Sequence, residues 1–152
     1  MLYGIITNKA LVIPICAWAV AQLIKTLVPL VRGKGLNLPN LFSSGGMPSA
    51  HSALVTALAT SVAMVEGFSS VTFGVTAILA LIVMYDAANV RQSVSRQAAT
   101  LNRIIKELRL RQPMTDLGSD LRELFGHTAF QVIVGGALGI AVAWLWMTIA
   151  AT

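Results

Sequence analysis

Residues 129–150 read AFQVIVGGALGIAVAWLWMTIA, twenty-two positions without one charged side chain. At about 1.5 Å of helical rise per residue, such a run is long enough for the ~30 Å hydrocarbon core of a bilayer. It is read as a membrane-spanning helix. Gly135, Gly136 and Gly139 thin one part of it enough for a neighbouring helix to approach closely. Trp144 and Trp146, near its end, suit a membrane–water boundary.

The rest of the chain repeats this theme. Of its 152 residues, 56% are hydrophobic and 11% charged, and the mean hydropathy is +0.76. That excludes an ordinary soluble domain of this size. Three further apolar segments are expected to span, at about 10–31, 49–65 and 71–90, giving with 129–150 a single all-α membrane domain over 1–152. The start of the first segment, Lys9 followed by an apolar run and Ala19-Val20-Ala21, has the outline of a signal peptide. Apolar character continues to Val31, however, and a retained helix is expected. The second segment, at 17 residues, reaches only about 25 Å, so its start sits inside the membrane boundary. Cys16 is the one cysteine and there are two histidines, so neither a disulfide framework nor a metal centre is expected, and no cofactor is implied.

From Arg91 the pattern changes. Val94, Ala98, Leu101, Ile105 and Leu108 recur at helical spacing, with Arg91, Arg96, Arg103, Lys106, Arg109 and Arg111 around them. A basic amphipathic helix over about 91–111 is expected to leave the membrane and lie on its surface, where anionic headgroups suit its charge. Pro113 interrupts it, and Asp120-Leu121-Arg122-Glu123 reads as the capped start of a helix carrying His127.

Between the first two spans lies Ser43 to Ser52, SSGGMPSAHS. Gly45 and Gly46 open backbone geometries closed to other residues. Ser49, a candidate phosphate contact, is also a good N-cap for the second span, and a helix starting there aims amide groups and a positive dipole end at an anion. His51, in its first turn, is suited to proton transfer. A plain Gly-Pro-Ser turn with an incidental histidine fits the same residues. Hairpin topology tips the balance. With four spans, Lys25 and Arg32 end the first, His51 opens the second, Asp86 and Arg91 end the third and His127 precedes the fourth, all on one membrane face. Ionisable groups so close to the spans usually serve function, and this set suits phosphate.

Lys25-x6-Arg32, Pro48-Ser49-Ala50-His51 and Gly126-His127 before a glycine-rich helix together resemble the three-motif signature of the type-2 phosphatidic acid phosphatase and vanadium haloperoxidase superfamily. Gly46-Met-Pro-Ser-Ala-His-Ser52 and Tyr85-Asp-Ala-Ala-Asn-Val-Arg91 are closer still to its small divergent bacterial and plant branch. The resemblance implies that Lys25 and Arg32 hold phosphate oxygens, His51 protonates the leaving group and His127 attacks phosphorus. The sequence departs from the pattern at Gly33 (usually proline), Ala50 (glycine), Asp120-Leu121 (serine-arginine) and Gln131 (aspartate). Arg122 or Arg91 is the candidate replacement for the missing arginine. Glu123, four residues before His127, or else Asp86, is the candidate to orient the nucleophile; Glu123 as a simple helix cap is the competing reading.

The expected function is a lipid-phosphate phosphatase acting on a phosphomonoester or diphosphate whose lipid tail stays in the bilayer. A non-catalytic protein that binds or moves lipid phosphates is the alternative. A vanadate-dependent peroxidase is disfavoured, because such proteins resemble soluble helical domains. The expected partners are the lipid substrate, anionic headgroups and a second copy of the chain through the glycine-rich face, with no nucleic acid. Of eleven Lys and Arg residues, only Lys9 falls on the face opposite the site. The positive-inside rule then puts the site in the cytoplasm, with the protein in a bacterial inner membrane.

Overall fold

The computed structural model describes residues 2–31, 47–111 and 128–149. Apart from short turns and caps, the described residues are helical, with no strand among them. A short helix α1 (Leu2–Ile6) precedes α2 (Lys9–Val31), and α3 (Ala50–Glu66) and α4 (Val71–Tyr85) follow. A π-helical turn (Asp86–Val90) joins α4 to α5 (Arg91–Arg111), and α6 is Ala129–Ile149. The stretches Lys9–Val28, Val71–Val90 and Ala129–Ile149 are long and apolar enough to cross a membrane, and α3 is a shorter apolar helix. The protein is an all-α membrane bundle.

The shortest of the four apolar segments is the central one. α3 packs against α2, α4 and α6, and Ala50, Ser52, Ala53, Val55, Thr56, Ala57, Ser61, Val62 and Ala63 are buried. Lipid tails are as apolar as leucine, so helices in a membrane associate through close packing and hydrogen bonds rather than through hydrophobic burial. Small residues on α3 permit that approach. On α2 the matching stripe is Ile13, Ala17 and Ala21, four residues apart and each fully buried. Ile13 and Ala17 cluster with Ala57 and Ala143, and Ala21 with Ala50 and Ala53. The order shows that α2 runs antiparallel to α3 and that α6 runs parallel to it.

The α3–α6 contact is the tightest. A Cβ added at Gly135 would lie 2.3 Å from the Ser49 carbonyl oxygen, and one at Gly139 only 2.2 Å from the Ala53 carbonyl oxygen and from Thr56 Oγ1. The Thr56 hydroxyl reaches the Gly136 carbonyl at 2.9 Å and the Ser52 carbonyl at 2.8 Å, so its one proton is shared between helices. Gly135 and Gly139 are therefore required by backbone contact.

At the far end, Gly67 ends α3 with φ +88°, in the region that favours glycine. Ser70 then caps α4, its hydroxyl accepting the Phe73 N–H at 3.1 Å. Most of α4 faces outward, with Val71, Val75, Ile78, Leu81 and Ile82 exposed, as a lipid-facing helix requires.

Candidate functional site

The stripe on α2 ends in a cation. One turn beyond Ala21, at the next position of the same four-residue spacing, comes Lys25, only 6% exposed. Ala21 packs on Ala50 and Ala53 of α3, so continuing the stripe carries Lys25 to the level of the α3 N-terminus. A lysine buried in a span is costly and needs polar company. Lys25, His51 and Asp86 each have an interaction partner.

The α3 N-terminus is built as its sequence suggests. Ser49 has extended backbone angles and its Oγ accepts the Ser52 N–H, at 3.4 Å, and the Ser52 hydroxyl, at 3.0 Å. The first amides of a helix have no acceptor within it, and Ser49 takes up one of them. Ser49 is fully buried and its own N–H is given to the Gln131 carbonyl oxygen at 3.2 Å. Its Oγ and N–H therefore serve the cap and the α3–α6 joint. His51, the second residue of α3, is exposed.

Asp86 opens the π turn and is half-buried. That turn packs against the described part of α6, and Met84, just before it, lies beside Gly136. A π turn displaces the residues after it from the α-helical register and is common at functional positions. Here it also redirects the chain from the apolar α4 into the basic α5. Arg91 is the first residue of α5. Lys25, the Ser49 cap with His51, Asp86 and the start of α6 thus lie at one end of the bundle. Arg32, Arg122, Glu123 and His127 lie outside the described residues, as does the separation of His51 from His127.

Gln131 has a role that the motif comparison alone missed. Its Oε1 accepts the Thr128 N–H at 3.1 Å while its own N–H is given to Thr128 Oγ1 at 3.4 Å. This is a reciprocal capping box at the start of α6. The signal was in the sequence, because Thr128-Ala-Phe-Gln131 has the spacing of that motif. Among the described residues no three His, Cys, Asp or Glu side chains are grouped as metal ligands.

Comparison with known proteins agrees with this architecture. The profile of the family described as "Divergent PAP2 family" matches residues 6–142. The chain is also 35% identical over 145 residues to the uncharacterized membrane protein YuiD of Bacillus subtilis (strain 168), covering 90% of this chain and 92% of that one. No solved structure matches the chain.

Proposed function

Because the chain belongs to the divergent PAP2 family, we propose that it is a membrane phosphatase for a lipid phosphate, with His127 as nucleophile. In this reading, an imidazole nitrogen of His127 attacks phosphorus, the bond to the leaving oxygen breaks, and His51 gives that oxygen its proton. A phosphohistidine remains. His51, now neutral, takes a proton from water, which attacks phosphorus, releases inorganic phosphate and restores both histidines. Lys25, Arg32 and one of Arg91 and Arg122 counter the charge on the transferring group. Glu123 or Asp86 orients the nucleophile. The observation that carries this reading is Lys25, a cation kept inside a span at the level of the helix start that bears His51. Positive charge on the site face supports a cytoplasmic opening in the bacterial inner membrane.

The test is phosphate release by purified protein from a panel of lipid monophosphates and diphosphates. His127→Ala should abolish release, and His51→Ala should lower it by roughly 10²–10⁴-fold, the usual worth of a general acid. Acid-labile phosphate should be trapped on His127 and be lost in Glu123→Gln. Release that survives His127→Ala would rule out the covalent path. The second reading, a protein that binds or moves lipid phosphates without cleaving them, is favoured by Gln131, whose Oε1 accepts at the α6 cap where the wider family has an aspartate. Tight lipid-phosphate binding with no release by the unsubstituted protein would decide for it.

A further inference from the structure

We propose that α5 is a docking surface for the anionic lipid headgroups of the leaflet on the site face. Three observations carry it, and none depends on catalysis. First, α5 begins at Arg91, directly after the last residue of the stretch Val71–Val90, so its start is tied to the membrane boundary. Second, among the described elements α5 has extensive contacts only with the adjoining π turn. Of its apolar positions, Val94, Leu101 and Ile104 are each more than two-fifths exposed, and Ala98 and Ile105 are half-buried. Third, the helix holds six of the chain's eleven Lys and Arg residues against a single acid, Glu107. Glu107 lies 3.4 Å from Arg103 in an exposed pair one turn apart, a contact of little energetic weight.

The register matches the task. At 100° per residue, Val94, Ala98, Leu101, Ile105 and Leu108 fall within one narrow sector, and Arg96 and Arg103 fall opposite. Lys106 and Arg109 stand on one flank, where a long side chain beside an apolar stripe can reach headgroups. A helix with low overall hydrophobicity and strong segregation of its faces lies in the interface rather than across it. A neutral surface would satisfy the stripe but not six cations, whereas each cation gains free energy near an anionic surface. The charge selects anionic lipid as the occupant.

The experiment uses the full chain in vesicles, on a Cys16→Ser background, with a polarity-sensitive fluorophore attached at Leu101→Cys or, on the opposite side, at Ala99→Cys. One set of vesicles is phosphatidylcholine alone and the other contains about one-third phosphatidylglycerol. The Leu101 probe should be shielded from aqueous iodide and quenched by a headgroup-depth nitroxide lipid at least about threefold more strongly in the anionic vesicles. Salt at about 0.5 M should reverse much of that gain, since exposed charges are then screened within a few ångströms. Arg103→Glu with Lys106→Glu should reverse it without salt. The Ala99 probe should stay open to iodide throughout. The proposal is overturned if the Leu101 probe is equally accessible in both vesicles. It is also overturned if shielding ignores lipid charge or follows the protein-to-lipid ratio, which would identify a second copy as the occupant.

Discussion

Gly135 and Gly139 are the residues on which the bundle turns most sharply, because what they meet is backbone. A methyl group at either would overlap a carbonyl oxygen of the α3 N-terminal half, and a main-chain atom cannot swing aside. Overpacking of this kind costs about 1–3 kcal/mol and sometimes more. Gly139→Ala and Gly135→Ala should therefore lower the melting temperature in detergent by several degrees. Gly136→Ala should do less, since its nearest neighbour is the flexible end of Met84 at 3.2 Å. Gly74, with nothing within 4 Å, provides the control. Gly74→Ala should be neutral or slightly stabilising, by up to about 1 kcal/mol of helix propensity. Equal gains at all four positions would mean that helix propensity rather than contact sets the effect. Gln131 supports a separate expectation. Gln131→Ala should cost about 1 kcal/mol through the lost cap while leaving phosphate release, per folded molecule, within about twofold. A loss of release as large as that from His51→Ala would return Gln131 to the reaction.

Among the elements, α2 and α3 divide the work of building one end of the bundle. α2 offers the repeated small face that ends in Lys25, and α3 offers a capped N-terminus against it. If Lys25 holds a phosphoryl oxygen, Lys25→Gln should weaken inhibition by inorganic phosphate by roughly 10–100-fold. That is the worth of a charge-assisted hydrogen bond, about 1.5–3 kcal/mol. Unchanged phosphate inhibition with an altered melting temperature would make Lys25 a packing residue. Ser49→Ala should destabilise by about 1 kcal/mol through its cap. The accompanying change in phosphate affinity should be small, because the hydroxyl is committed to Ser52.

For the whole molecule, the measurable question is which face lies in the cytoplasm. α2 and α3 run antiparallel, which puts the exposed Ser69, in the turn between α3 and α4, at the end opposite the site. In intact cells an impermeant maleimide should label Ser69→Cys from outside and spare Ala99→Cys on α5. The reverse pattern would overturn the cytoplasmic assignment and show that the arginines gather for the site rather than for topology.

The class of the fold was legible in the sequence because bilayer thickness is a physical ruler. Runs such as 129–150 permit few structures other than a spanning helix, and the basic periodicity after Arg91 is equally local. Ser49 as the cap of α3 was legible for the same reason, since capping is decided within one turn. The Thr128–Gln131 box was also written locally, in the spacing Thr128-Ala-Phe-Gln131. Tertiary structure alone decided that the shortest apolar segment is the centre of the bundle, because that depends on which small faces find each other across distant segments. It alone assigned the four-residue stripe Ile13, Ala17, Ala21 and Lys25 to the face against α3. Alanine bears no mark that separates an inward face from one turned to lipid. Only contact with another helix supplies it.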